Sequence, residues 1–134
     1  MNKLLEWLMN YALDHHIGVI ATRMLASDTP SQSDGNNRVV IINMNWQKHD
    51  ELPFVFAHEI GHVLNGDTGI HKFCASSVKT KTEYQANTMA IKVLLDYCQS
   101  NDIDANNPIE FCERFGIPTE YEYIVGLLTR PNTD

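Results

Sequence analysis

Residues 54–62 read Phe-Val-Phe-Ala-His-Glu-Ile-Gly-His, an apolar run that leads directly into two histidines four positions apart. Side chains at positions i and i+4 of a helix point the same way, so the imidazoles of His58 and His62 can converge on one cation. Glu59 then stands beside that cation without binding it. A carboxylate in this position can take a proton from a water molecule whose pKa the cation lowers, and can pass it to a leaving amine. The stretch therefore predicts metal-assisted hydrolysis, most often of peptide bonds.

The flanking residues favour a buried helix over a chance occurrence of this motif. Histidines with this spacing also occur as hydrogen-bonded residues on ordinary amphipathic helices. Here residues 54–57 give the helix an apolar body that can bury a metal site. Pro53 suits the first turn of a helix, and Asn65 and Gly66 suit its end. We therefore predict an active-site helix over about residues 51–65.

A catalytic zinc needs a third protein ligand and one open position. A metzincin-type extension would require a glycine three residues after His62 and a histidine or aspartate six residues after it. The chain has Asn65 and Thr68 at those places. Asp67 and His71, in the loop that follows the helix, remain candidates.

Glu83 is a stronger candidate for the third ligand. It opens a second helical pattern, whose apolar or small residues are Ala86, Ala90, Ile91, Leu94, Leu95 and Cys98. Asn87 lies four residues later on the same inward face. As in a gluzincin, Glu83 can bind the metal while Asn87 accepts the free ring N–H of a ligating histidine and fixes its tautomer. The alternative is a solvated glutamate, which the helix macrodipole favours at this position.

Two blocks of the sequence resemble the ImmA/IrrE family of metallopeptidases. They are residues 56–62 and residues 83–90, and the order of the elements matches over roughly residues 10–128. Members are common in phages, integrative elements and bacterial regulators. Gln85 stands where many relatives have an acidic residue, and Asn65 stands where many have a further histidine.

Carried over by position, the resemblance implies His58, His62 and Glu83 as metal ligands and Glu59 as the catalytic carboxylate. Neither departure from the family pattern removes a predicted ligand. Zinc is the expected ion, with another divalent ion such as Mn2+ as the alternative. The resemblance also suggests a regulatory substrate, namely a DNA-binding repressor of a phage or mobile element.

The composition indicates one domain over residues 1–134, because a chain of this length with 43% hydrophobic residues can bury a core. Cys74, Cys98 and Cys112 are an odd number without a paired or zinc-binding spacing, which favours reduced thiols in a cytoplasmic protein. The N-terminal segment is typical of an amphipathic helix and not of a signal peptide. No apolar run approaches the ~20 residues that cross a bilayer, so we expect a soluble protein without a membrane partner.

The charge argues against nucleic acid as a direct partner. Ten basic residues face seventeen acidic ones, for a net charge of −7, and the basic residues do not cluster. Phosphate contacts supply most of the affinity of nucleic-acid-binding proteins. Two helices predicted at 108–115 and 118–128 could suggest a helix-turn-helix, but the acidic residues on them would face phosphates: Glu110, Glu113, Glu120 and Glu122.

We expect an α+β, zincin-like fold, in which a small antiparallel or mixed sheet packs on the active-site helix and on a second, ligand-bearing helix. A helix is predicted at 2–15, strands at 19–22 and 38–44, and the Glu83 helix to about 98. Residues 27–37 are predicted to be turn-forming and exposed, residues 66–80 to form a loop, and 130–134 to fray. The residues that could stabilise an oxyanion are Tyr84, Tyr121, Tyr123 and His71, and the sequence does not choose among them.

These patterns predict a metal-dependent endopeptidase whose substrate lies extended beside an exposed sheet edge. The second hypothesis is a non-catalytic binding module that disables a repressor by sequestration, with a metal that only stabilises its fold.

Overall fold

The computed structural model describes residues 2–74 and 80–130 of the chain. Over these residues there are five α-helices, four β-strands and two short 3-10 turns. The helices are α1 (Lys3–Asp14), α2 (Leu52–Leu64), α3 (Lys81–Ser100), α4 (Pro108–Phe115) and α5 (Glu122–Thr129). The strands are β1 (Gly18–Thr22), β2 (Gln32–Asp34), β3 (Val39–Asn43) and β4 (Ile70–Lys72), and the 3-10 turns are His49–Glu51 and Thr119–Tyr121.

The strands form one mixed sheet in the order β1-β3-β2-β4. β1 runs parallel to β3, whereas β2 is antiparallel to both β3 and β4. On β3, Val40 and Ile42 are fully buried while Val39 and Ile41 are partly exposed, so only one face of the sheet is covered. The expected α+β fold with a small mixed sheet is confirmed, and it is consistent with a zincin-like architecture.

α2 is the central helix of the fold. Leu52 and every residue from Phe54 to Val63 are buried, because β2 and β3 pack on one side of the helix and α3 packs along another. A helix that is apolar nearly all round belongs in the interior of a protein. The two histidines and Glu59 lie within this buried stretch, so their polar atoms are removed from water and require partners.

The predictions of loops at 27–37 and 66–80 were wrong in part, because these segments contain β2 and β4. Both strands are only three residues long and mostly polar, so they lack the apolar alternation by which strands are recognised. Tertiary hydrogen bonds hold them instead. Ser31 Oγ accepts from the backbone N–H of Asn43 at 2.9 Å, and the backbone carbonyl of Ser31 accepts from Phe73 N–H at 2.8 Å.

The other predicted elements are confirmed with small changes at their ends, and the last helix begins as the 3-10 turn Thr119–Tyr121. Residues 75–79 of the predicted loop and 131–134 of the predicted frayed end lie outside the described residues. No helix in the described part of the chain is both long and apolar enough to cross a membrane.

α2 and α3 approach each other closely at Gly61. A Cβ atom built on Gly61 would lie 2.8 Å from the backbone oxygen of Ala86 and 3.3 Å from Cβ of Met89. Only a residue without a side chain fits this contact without a shift of one helix, so glycine here brings the two helices together.

Gly61→Ala is expected to destabilise the protein. The added methyl group must displace α3, and such overpacking costs about 1–3 kcal/mol, more than the gain of about 1 kcal/mol in helix propensity. Gly126→Ala is the matched control, because the nearest atom to a Cβ there is Cγ of Pro108 at 3.8 Å, an ordinary contact. In urea unfolding we expect the control to be at least as stable as the unsubstituted protein. A Gly61→Ala variant of equal stability would contradict the close approach.

Candidate metal centre

The two histidines of α2 point into one site. Nε2 of His58 lies 3.0 Å from Oε2 of Glu83, and Nε2 of His62 lies 3.1 Å from the same oxygen. One ligand atom from each of these three residues lies within 4.8 Å of the other two, so the group could hold a metal ion. His58 and His62 are 2% and 1% exposed, whereas the Glu83 side chain is 16% exposed, which leaves one side of the group accessible.

Glu83 reaches this position because α3 begins just before it. Thr80 is the N-cap residue of α3, and its hydroxyl accepts a hydrogen bond from the backbone N–H of Glu83 at 3.2 Å. This cap satisfies one of the free N–H groups at the helix start and fixes the first turn. The carboxylate is directed at the histidines and is mostly buried, so it is not the solvated glutamate of the alternative interpretation.

The outer nitrogens of the histidines are also held. Nδ1 of His58 lies 2.7 Å from Oδ1 of Asn87, and Nδ1 of His62 lies 2.9 Å from Oδ2 of Asp67. If each ring donates its Nδ1–H to these oxygens, each Nε2 carries a lone pair that faces Glu83. Asp67 therefore contacts the outer side of the His62 ring and stands apart from the cluster of candidate ligand atoms.

The donor set fits a cation of the size and chemistry of zinc. Ligand atoms at ~2.0–2.1 Å from a tetrahedral zinc lie about 3.4 Å apart, close to the 3.0 and 3.1 Å that separate the imidazole nitrogens from the Glu83 oxygen. Nε2 of His58 is buried and makes no hydrogen bond of good geometry with any described residue, although such atoms are normally satisfied. A metal ion would supply the missing partner.

The electrostatics of the site favour positive charge between these residues. Burial opposes charge on Glu83, but the neighbouring imidazoles of His58 and His62 outweigh it and hold the pKa of Glu83 well below its ordinary value. Burial also opposes charge on His62, yet Glu83 and Asp67 together raise the pKa of His62. Either a proton or a metal cation can supply this positive charge. A metal ion can bind the histidines only after the proton has left.

Glu59 follows His58 on α2 and is fully buried. Burial raises the pKa of Glu59 well above its ordinary value, the nearby charge of Glu83 adds to the shift, and Ser33 on β2 acts against it. Ser33 makes no hydrogen bond of good geometry with the carboxylate, and neither carboxylate oxygen of Glu59 has a hydrogen-bond partner within the part of the chain that the structure describes. A buried carboxyl group with free oxygens beside a candidate metal site has the features of a general base or acid.

The sequence offers four candidates for the residue that stabilises an oxyanion. His71 lies on β4, its ring stacks on that of His62 at 4.5 Å, and its Nε2 lies 2.9 Å from the carbonyl oxygen of Thr68. Tyr84 and Tyr123 are 45% and 56% exposed. Tyr121 is partly buried, and its ring packs against that of Phe54 with centroids 6.1 Å apart. Burial raises the pKa of Tyr121, and the charges of Glu120 and Glu83 add to this.

The roles of Ser33 and Asp67 were missed by the sequence analysis. Ser33 belongs to a strand that local patterns did not predict. Asp67 follows Gly66, whose positive φ of 77° turns the chain back towards α2. An acidic residue five positions after the second histidine is the only local signal for the Asp67 contact, and the sequence analysis read it as a candidate ligand.

A family model described as IrrE N-terminal-like domain matches residues 12–122 of the chain. The match covers most of the 134 residues, so the chain belongs to this family of peptidases, and the resemblance to ImmA/IrrE proteins is confirmed. Membership supports a metallopeptidase role. No curated protein and no solved structure matches the chain.

Asp67→Ala is expected to weaken zinc binding by about 10–100-fold, because removal of a carboxylate that orients a ligating histidine has effects of that size. Asp67→Asn should retain more affinity, since an amide oxygen can still accept the Nδ1–H. Competition titrations with a chelator of known zinc affinity would measure both. The control is Asp28→Asn, which removes one negative charge from an exposed residue. Equal affinity in Asp67→Ala and in the control would exclude an orienting role.

Proposed function

We propose that this protein is a zinc-dependent endopeptidase, with His58, His62 and Glu83 as the metal ligands and Glu59 as the catalytic carboxylate. One observation carries the proposal: two buried imidazole nitrogens and a carboxylate oxygen converge within 4.8 Å beside a second, fully buried carboxylate. Two imidazoles and one carboxylate suit zinc better than Mn2+, which prefers more oxygen ligands. Membership of a peptidase family supports the same conclusion.

When bound, the ion would polarise the scissile carbonyl and make a water molecule acidic enough to attack it at neutral pH. The residues of the chain supply the other functions. Asn87 and Asp67 keep the rings of His58 and His62 in place through their Nδ1 atoms. Glu59 takes a proton from the attacking water and delivers it to the leaving nitrogen as the C–N bond breaks.

The substrate would bind as an extended strand beside β4. This strand lies at one end of the sheet, and no described strand pairs with its far side. β1 at the opposite end is also an edge, but only β4 carries a residue, His71, whose ring stacks on a proposed metal ligand. Backbone pairing with an edge strand presents a peptide in a defined register and leaves selectivity to its side chains.

The proposed substrate is a DNA-binding repressor of a phage or mobile element, cut in the cytoplasm. The net charge of −7 would attract a basic protein, and DNA-binding repressors carry basic surfaces. The competing function is sequestration, in which the repressor is bound and released intact. The two functions differ in whether fragments appear.

Glu83→Ala is expected to weaken zinc binding strongly, because two imidazoles then hold the ion without a balancing charge. Zinc content after dialysis and a chelator competition titration would measure the change, with the exposed Glu110→Ala as control. If Glu83→Ala kept the zinc affinity of the unsubstituted protein, Glu83 would not be a ligand and the proposed site would be wrong.

Glu59→Gln is expected to retain zinc but to lose hydrolysis by about 100-fold or more, as is usual when a general base is removed. The test is co-expression of the protein, or of this variant, with a repressor encoded beside it, followed by mapping of fragments by mass spectrometry. A single cut with the unsubstituted protein and none with Glu59→Gln supports the endopeptidase. Repressor inactivation that persists in the variant without any fragment would support sequestration.

A further inference from the structure

Tyr121 lies at the edge of the candidate metal centre although it comes from the last third of the chain. It ends the 3-10 turn Thr119–Tyr121. Its ring packs against Phe54 with centroids 6.1 Å apart, and Phe54 in turn contacts the ring of His58 at 5.9 Å. Tyr121 is therefore attached to the side of the site on which His58 lies, and it is only partly buried, so a substrate can reach it.

We propose that the hydroxyl of Tyr121 donates a hydrogen bond to the carbonyl oxygen of the scissile peptide bond and stabilises the negative charge that develops there. The proposal rests on the endopeptidase function proposed above. It assigns one of the four candidates that the sequence leaves open.

The hydrogen-bonding of Asn87 determines what the Tyr121 hydroxyl can do. Oδ1 of Asn87 lies 2.7 Å from Nδ1 of His58, and the interaction with Asn87 lowers the pKa of Tyr121, as a donor to the phenol oxygen does. The amide N–H groups of Asn87 can act as that donor, and such a contact does not use the phenol proton. It remains free to be donated to a group in the site.

The Tyr121 hydroxyl remains protonated and can therefore act as a donor. Burial raises the pKa of Tyr121, the charges of Glu120 and Glu83 add to this, and the interaction with Asn87 opposes it. A donor held ready for the scissile carbonyl oxygen stabilises the transition state more than the ground state.

The other candidates fit this role less well. Tyr123 is 56% exposed and Tyr84 is 45% exposed, and no described interaction joins either of them to His58, His62, Glu83 or Asn87. His71 is close to the site, but its Nε2 is engaged with the carbonyl oxygen of Thr68. Among the described tyrosines, Tyr121 is the one whose ring packs against Phe54, the residue that contacts the ring of His58.

Tyr121 transfers no proton in the proposed reaction. Water adds to the carbonyl carbon, the π electrons move onto the carbonyl oxygen, and Tyr121 donates a hydrogen bond to that oxygen. Glu59 accepts the proton that water releases. The C–N bond then breaks, the electrons return to form the carboxyl group, and the nitrogen leaves with the proton from Glu59.

The test compares Tyr121→Phe with Tyr123→Phe, a matched control that removes the same hydroxyl from an exposed tyrosine two residues later. Cleavage of a library of internally quenched peptides by the zinc-loaded protein gives kcat and KM. For Tyr121→Phe we expect kcat to fall about 10–100-fold, somewhat less than for loss of a sole oxyanion donor because the ion would share the charge. KM, zinc content and the melting temperature should stay unchanged, as should all values for Tyr123→Phe.

A binding measurement separates a role in the reaction from a structural one. A phosphinic dipeptide, whose tetrahedral phosphorus carries charged oxygens, imitates the reacting carbonyl. Calorimetry should show it binding about tenfold more weakly to Tyr121→Phe than to the unsubstituted protein.

If Tyr121→Phe fails to fold, Tyr121→Met keeps an apolar contact with Phe54 and tests the same loss of the hydroxyl. Equal kcat and equal phosphinate affinity in a folded variant would overturn the assignment of Tyr121 and leave the endopeptidase intact. Absence of any cleavage by the unsubstituted protein would overturn the endopeptidase, and this inference with it.

Discussion

The candidate site depends on the close approach of α2 and α3. Gly61 stands between the two histidines in the sequence of α2, and Ala86 stands between Glu83 and Asn87 in α3. A Cβ on Gly61 would lie only 2.8 Å from the backbone oxygen of Ala86, so the backbones of the two helices approach each other at this point. The absence of a side chain at Gly61 therefore allows a carboxylate from one helix to lie within 3.1 Å of the imidazole nitrogens of the other. If the two helices were farther apart by ~1 Å, Glu83 and the two histidines would no longer be positioned to bind one ion.

Some polar atoms of the site have hydrogen-bond partners and others do not, and this difference matches their proposed roles. The outer nitrogens of both histidines have partners, Asn87 and Asp67, which fix the rings. In contrast, Nε2 of His58 and both carboxylate oxygens of Glu59 are buried and make no hydrogen bond of good geometry with the described residues. Unsatisfied buried groups cost roughly 1–3 kcal/mol each, and folds retain them mainly where function requires them. Ser33 Oγ and Asn65 Nδ2 are also buried without such a partner, but among the proposed ligands and the catalytic carboxylate the unpaired atoms are the ones that the proposed reaction would use.

Local periodicity explains how much of this arrangement could be predicted. The two long central helices and β3 follow from apolar patterns, and helix geometry alone puts His58 with His62 and Glu83 with Asn87 on common faces. β2 and β4 could not be predicted in this way, because three mostly polar residues become a strand only when a neighbouring strand pairs with them. The same limit applies to Tyr121. Its contact with Phe54 depends on how the end of the chain folds back onto α2, and no local pattern encodes that contact.

A cluster of aromatic rings connects the elements that would surround a bound peptide. Phe73, just after β4, makes edge contacts with Trp46, Phe54 and His58, at centroid distances of 6.3, 6.3 and 5.4 Å. Phe54 also packs against Tyr121. Through these rings the edge strand β4 and the Thr119–Tyr121 turn are both attached to the same turn of α2 that carries His58. Aromatic rings pack with defined geometry and few rotamers, so they hold such a spacing better than flexible side chains would. β4, the proposed edge for substrate binding, and Tyr121, the proposed oxyanion donor, are thus held at fixed distances from His58. A bound peptide could then contact β4, Tyr121 and the site at His58 at the same time.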